Sequence, residues 1–150
     1  MIKKGIILAG GLGTRLSPIT KSVSKQLLPV YDKPLIFYPL SVLMLCNIKN
    51  ILIIVKKGER RNFQAALGDT QDLGINLEFK EQIKPTGIPE AFIIGEKFIN
   101  RNSVALILGD NFFYGQGLSE LLKKNLALKN GARIFTYPIN DPHNFGIVEK

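Results

Sequence analysis

Residues 5–15 read Gly-Ile-Ile-Leu-Ala-Gly-Gly-Leu-Gly-Thr-Arg, and they hold the densest chemical signal in the chain. An apolar run breaks into Gly10, Gly11 and Gly13, with Thr14 and Arg15 directly behind. Glycine has no Cβ, so backbone N–H groups there can close around a bulky polyanion. Arg15 adds a permanent positive charge on a planar fork that matches phosphate oxygens. A strand, a glycine loop and an arginine together describe a site for phosphates. The plainer reading is an ordinary strand-to-helix turn, which needs neither three glycines nor the Thr-Arg pair.

Two familiar phosphate loops do not fit. A P-loop requires Gly-Lys-Ser/Thr at its end, whereas Gly13 is followed by Thr14-Arg15 and Lys21-Ser22 is preceded by Thr20. The dinucleotide fingerprint accommodates Gly11 and Gly13 but would need a third glycine at Leu16. Asp32, the only acid suitably placed downstream for a ribose, sits in Tyr31-Asp32-Lys33-Pro34, which reads as a turn.

Other residues carry weaker signals. Asp110 follows the fully apolar run Val104–Leu108. A lone acid there suits Mg²⁺, which takes one or two carboxylates plus phosphate oxygens; it also suits a turn or helix cap. Lys25 stands among few other charges, and a solvated surface lysine is its default reading. Gln82 offers a donor and an acceptor, which can pair with the imide edge of a pyrimidine. Cys46 lies in the apolar stretch Leu43–Leu45 and reads as a buried structural thiol. His143, the single histidine, lies in Asp141-Pro142-His143-Asn144 and reads as a loop residue.

The elements that must position these residues alternate. Short β-branched, apolar runs at Gly5–Ala9, Ile51–Val55, Asn76–Lys80, Val104–Leu108 and Ala132–Tyr137 predict strands covered on both faces. Between them, helical spacing predicts helices over Leu35–Cys46, Gly58–Leu67, Pro89–Phe98 and Leu118–Leu128. Pro39 marks a kink or irregular start, and Pro89 a first helical position. The class is α/β, a Rossmann-like, doubly wound and mostly parallel sheet with helices on both faces. In such sheets ligands bind beyond the carboxyl ends of the strands. That rule brings Gly10–Arg15, Glu81-Gln82 and Gly109-Asp110-Asn111 to one rim.

One hundred and fifty residues with 45% apolar content make one domain with a real core. No apolar run has the length of a membrane span, and Met1-Ile2-Lys3-Lys4 offers no signal-peptide pattern. One cysteine excludes an internal disulfide and suits a reducing, cytoplasmic setting. The net charge of +8 invites nucleic acid as partner, but the cations are scattered in pairs such as Lys56-Lys57 and Arg60-Arg61. No nucleic-acid-binding motif accompanies them. An anionic small substrate is the better account, with neither nucleic acid nor membrane as partner.

The stretch Leu8–Leu16, followed by Ser24-Lys25-Gln26-Leu27-Leu28-Pro29, resembles the signature of sugar-1-phosphate nucleotidyltransferases. The longer run Val23–Pro34 is similar to their thymidylyl-transferring branch. The likeness continues through Tyr38–Met44, Leu108–Asn111 and Phe145–Glu149, so it covers the whole chain. It implies the nucleotide-diphospho-sugar transferase fold and a reaction of dTTP with α-D-glucose 1-phosphate, giving dTDP-glucose and pyrophosphate. Further implications are Mg²⁺ held by Asp110, catalytic cations at Arg15 and Lys25, and nucleotide contacts from Leu8, Gly10, Gly11, Gly13 and Thr14. The Gln82 side chain and Gly87 backbone would read the thymine, while Gly146 and Phe145 would face the sugar.

The sequence also departs from that pattern. Where the pattern has an acid this chain has Thr86, where it has alanine the chain has Pro89, and Phe145 replaces a tyrosine. Family members are considerably longer; their second half adds sugar contacts, a second metal-holding aspartate and surfaces for homo-oligomers. The expectation is therefore that residues 1–150 form the N-terminal, nucleotide-binding part of the domain, with the sugar-binding part mostly absent. Two other readings stay open: a nucleotide-binding module without turnover, and the same chemistry with UTP or another nucleotide.

Overall fold

The computed structural model describes residues 2–70, 72–128, 130–143 and 146–148. Strand β1 (Lys4–Ala9) leads through three single 3₁₀ turns to a short antiparallel hairpin, β2 (Pro29–Val30) and β3 (Lys33–Pro34). Then follow α1 (Phe37–Leu45), β4 (Asn50–Lys56), α2 (Arg60–Leu67) and β5 (Asn76–Gln82). Two short helices, α3 (Glu90–Ile94) and α4 (Glu96–Ile99), precede β6 (Val104–Leu108) and α5 (Leu118–Asn125).

Four strands form one parallel sheet in the order β5-β4-β1-β6. Alternate residues of each strand point to opposite faces, and both faces are covered. On one side Ile7, Ala9, Ile51, Ile53, Val55 and Ile107 pack with Leu40, Leu43, Phe63, Leu67 and Leu122 of α1, α2 and α5. On the other, Ile6, Leu52 and Ile54 pack with Ala91 and Phe98 of α3 and α4. Central strand β4 has five consecutive residues, Ile51–Val55, at 0% exposure. Burying each such side chain contributes roughly 1.5–3 kcal/mol, so this unbroken apolar run fixes β4 in the middle of the sheet.

The doubly wound α/β class is what the alternating pattern predicts, and four of the five expected strands form. The exception is Ala132–Tyr137, which is not in any strand. A strand needs a ladder partner, and none of the described strands pairs with this segment. Ile134, Phe135 and Tyr137 are exposed there, and the Phe135 ring stands edge-to-face with Phe113, centroids 6.2 Å apart. All four helices differ at their ends, α2 by starting at Arg60, two residues later than expected. The expected Pro89–Phe98 helix is two pieces that meet at Gly95, where the chain lies tight against Ile6. Helix α5 stops at Asn125, whose side-chain amide donates to the Leu121 carbonyl at 2.6 Å, a local bond that competes with the helix ladder. Helix α1 begins two residues later than expected and holds Pro39 in its first turn, where its missing N–H costs nothing.

Candidate nucleotide site at the strand switch

The sheet order creates the site. From β1 the chain crosses to β4 on one side; from β5 it returns to β6 on the other side of β1. The carboxyl ends of β1 and β6 therefore flank the point where the winding reverses, which is where open α/β sheets bind ligands. The glycine loop leaves β1 there and Asp110 leaves β6 there. A backbone bond from Gly109 N–H to the Leu8 carbonyl, 2.8 Å, ties the two exits together.

A cleft of about 220 Å³ opens at this crevice. Its walls are Gly11, Gly13, Thr14, Arg15, Leu16, Lys25, Gln26 and Asp110. Most of the residues chosen from sequence as phosphate- and metal-binding thus line one hollow. A larger hollow of about 360 Å³ lies between the end of α2 and the start of β5, but its walls contain no lysine or arginine. Arg15 and Lys25 line the smaller one.

The loop is shaped by its neighbours. Gly13 has φ of 62°, a left-handed conformation that L side chains rarely adopt. A Cβ there would sit 2.9 Å from the Thr20 methyl group. The Thr20 hydroxyl donates to the Gly13 carbonyl at 2.8 Å and pins the loop from below. Among the described residues, the N–H groups of Gly11, Leu12 and Gly13 donate to no backbone carbonyl. Gly11 differs from Gly13: a Cβ there meets nothing within 4 Å, because it points into open space.

Lys25 opens a 3₁₀ turn whose Leu28 N–H returns to the Lys25 carbonyl at 3.1 Å. Its ammonium reaches across the cleft to Asp110 Oδ2 at 3.0 Å, and both side chains remain about one-third exposed. Gln26 follows Lys25 on the cleft wall. It is 4% exposed, and its Oε1 has no hydrogen-bond partner among the described residues. An orphaned buried oxygen costs about 1–3 kcal/mol, and this one belongs to a side chain that lines the cleft. Sequence reasoning assigned no role to Gln26, although it stands inside the Ser-Lys-Gln motif beside Lys25.

Gln82 closes β5, which runs two residues further than the sequence suggested. It is 3% exposed, and its amide oxygen faces Gly10, where a Cβ would lie 2.0 Å away. Only glycine at position 10 allows this approach. The Gln82 amide nitrogen donates to Glu90 Oε2, which also accepts from the Thr86 N–H at 3.1 Å and the Thr86 hydroxyl at 2.7 Å. These donors, the Thr86 hydroxyl foremost, then Gln82 and the Thr86 N–H, hold the Glu90 carboxyl below its ordinary pKa. Glu90 is a second residue that sequence reasoning passed over; its only signal was its place four residues after Thr86.

The remaining expected site residues that the structure describes are not among the cleft walls. Leu8 is half-buried in β1. Gly87 is exposed in the loop after β5 with φ of 125°. Gly146 is exposed with open space around it, and Phe145 lies outside the described residues. Asp32 occupies the β2–β3 turn, as its sequence context suggested, and pairs with adjacent Lys33 at 2.8 Å. Cys46 is buried, and burial pushes its thiol pKa up, as a structural cysteine requires. No described helix is long and apolar enough to cross a membrane.

A family model for nucleotidyl transferases matches residues 4–150. A glucose-1-phosphate thymidylyltransferase of Neisseria gonorrhoeae is 58% identical over 146 residues, 97% of this chain and 51% of that protein. One from Mycobacterium tuberculosis H37Rv is 50% identical over 97% of this chain and 50% of its own length. Among solved structures, a Bacillus anthracis protein assigned as a glucose-1-phosphate thymidylyltransferase superposes with a TM-score of 0.72 at 39% identity, over 79% of this chain and 48% of that one. A UDP-glucose pyrophosphorylase complexed with UDP-glucose gives 0.69 at 30% identity, over 83% and 51%. The chain spans about half the length of the curated relatives it matches. With its glycine loop, Lys25 and Asp110 gathered at the strand switch and the family match running from residue 4 to residue 150, the chain belongs to the nucleotidyl transferase family.

Proposed function

We propose that the chain is the nucleotide-binding part of an enzyme that joins dTTP and α-D-glucose 1-phosphate into dTDP-glucose and pyrophosphate. The observation that carries this reading is the cleft at the switch point, with Arg15, Lys25, Asp110 and the glycine loop on its walls. The relatives' names supply the substrates.

In this reading the N–H groups of Gly11–Gly13 meet the triphosphate. Lys25 contacts the α-phosphate, and Arg15 neutralises the departing pyrophosphate, an electrostatic form of catalysis suited to phosphoryl-type transfer. A phosphate oxygen of the sugar phosphate attacks the α-phosphorus in line. The bond from that phosphorus to the bridging oxygen breaks, and the electron pair leaves with pyrophosphate. Without nucleotide, Lys25 and Asp110 neutralise each other across the cleft. An arriving triphosphate gives Lys25 a new partner and releases the Asp110 carboxylate.

Asp110 fits Mg²⁺ by its chemistry, a hard and partly exposed carboxylate beside a phosphate loop. No group of three metal-ligating side chains occurs among the described residues, so the metal would be shared with phosphate oxygens and water. When bound, Mg²⁺ supplies charge neutralisation at those oxygens. Gln82 and Gly87 would read the base, and Gly146 and Phe145 would approach the sugar.

A second reading, the same chemistry with UTP, draws on the neighbour solved with UDP-glucose. Uracil and thymine share the imide edge, so an amide at Gln82 serves both. Competition binding tests the assignment. dTTP and UTP are expected to outcompete ATP and GTP, and equal affinity for all four would overturn it.

A further inference from the structure

Three donors converge on one oxygen of Glu90: the Gln82 amide nitrogen, the Thr86 N–H and the Thr86 hydroxyl. An ionised carboxylate only accepts hydrogen bonds, whereas a primary amide has a donating and an accepting end of nearly equal size. Gln82 can therefore face Glu90 only through its NH₂ group. Its oxygen is turned to the other side, toward Gly10 and the phosphate loop. Gln82 is 3% exposed and its amide nitrogen is held by the carboxylate, which sets the orientation.

We propose that Glu90 is a positioning residue that locks the orientation of the Gln82 amide and so selects the nucleobase. The proposal rests on the reading of Gln82 as the base-contacting side chain. With its oxygen toward the ligand, Gln82 accepts the N3–H of thymine or uracil. Cytosine carries a bare acceptor at N3, so two oxygen and nitrogen lone pairs would meet there unpaired. A charge-assisted bond is roughly twice as strong as a neutral one, which makes Glu90 a better lock than a neutral side chain. Glu90 also explains how the loop keeps an acid although position 86 is a threonine. The carboxylate comes from the first turn of α3 and reaches back to Thr86.

The test compares dTTP, UTP and CTP binding by the full chain in Mg²⁺, in the unmodified protein, Glu90→Gln and Thr86→Val. Inorganic tripolyphosphate, which has no base, reports on the phosphate cleft, and thermal melting reports on folding. Glu90→Gln keeps the shape but lets both amides flip. It is expected to lower the dTTP-over-CTP preference by about tenfold, the scale of one polar pair, with tripolyphosphate affinity unchanged. Thr86→Val removes a donor to Glu90 and leaves the Gln82 contact intact, so its base preference should stay close to that of the unmodified protein. Unchanged preference in Glu90→Gln overturns the proposal, as does an equal loss in both variants, which marks a general loop effect. No base preference in the unmodified protein overturns the reading of Gln82 itself, and the proposal with it.

Discussion

The Lys25 ammonium and the Asp110 carboxylate lie 3.0 Å apart although 85 residues separate them in the chain. Both are about one-third exposed, and such pairs contribute only about 0–1 kcal/mol to stability. Their proximity therefore has little value for folding. Lys25→Met is expected to change the unfolding free energy by less than about 1 kcal/mol while weakening dTTP binding tenfold or more. Denaturant titration and calorimetry on the same protein measure both. A large stability loss with intact dTTP affinity would make the pair structural.

The glycines of the loop separate in their consequences. Gly11 faces open space, so Gly11→Val should fold with stability within about 0.5 kcal/mol of the parent and lose nucleotide binding by filling the cleft. Gly13→Val should lose more than about 1 kcal/mol, because φ of 62° and the Thr20 contact oppose any side chain. Chemical denaturation with dTTP titration distinguishes them. Unchanged dTTP affinity in Gly11→Val would dismiss the loop as the phosphate site.

The Glu90 carboxyl predicts a pH response at the loop. Its pKa is lowered in the folded chain, chiefly by the Thr86 hydroxyl. The contacts are thus complete above the ordinary glutamate value of 4.5 and are lost as pH falls through the lower folded value. The Thr86 amide resonance in NMR is expected to titrate with a midpoint below 4.5, and Glu90→Gln should abolish that titration. A midpoint above it would show that these hydrogen bonds do not form in solution.

Turnover should need more than these residues. In-line positioning is worth roughly 7–11 kcal/mol of barrier, and the chain spans about half the length of its relatives. The 150 residues are expected to bind dTTP in a Mg²⁺-dependent way, to release negligible pyrophosphate, and to turn over when fused to the second half of the gonococcal relative. A pyrophosphate assay decides. Robust release by the 150 residues alone would place the sugar site within them.

Much of this was legible in the sequence because local pattern and global fold agree. The apolar runs of β1, β4 and β6 end at Gly10, Lys56 and Gly109, and the phosphate loop sits where its glycines stop the first of them. The failures depend on contacts that only the folded chain makes, some of them local and some between segments far apart in sequence. Ala132–Tyr137 has strand composition, but strand formation needs a neighbour to pair with, and composition does not supply one. Gln26 and Glu90 look like ordinary polar residues until folding buries an oxygen of one and brings Gln82 and Thr86 to the other. The reach of Lys25 to Asp110 was likewise invisible, because spacing along the chain says nothing of distance across a switch point.

In the proposed function, the cleft between the ends of β1 and β6 binds a nucleoside triphosphate with a divalent metal on Asp110. Calorimetric titration of dTTP, with and without Mg²⁺, on the unmodified chain and on Asp110→Asn tests it most directly. Mg²⁺ is expected to strengthen dTTP binding to the unmodified chain, and the gain to disappear in Asp110→Asn, while both proteins melt at similar temperatures. The same Mg²⁺ gain in both proteins would contradict it.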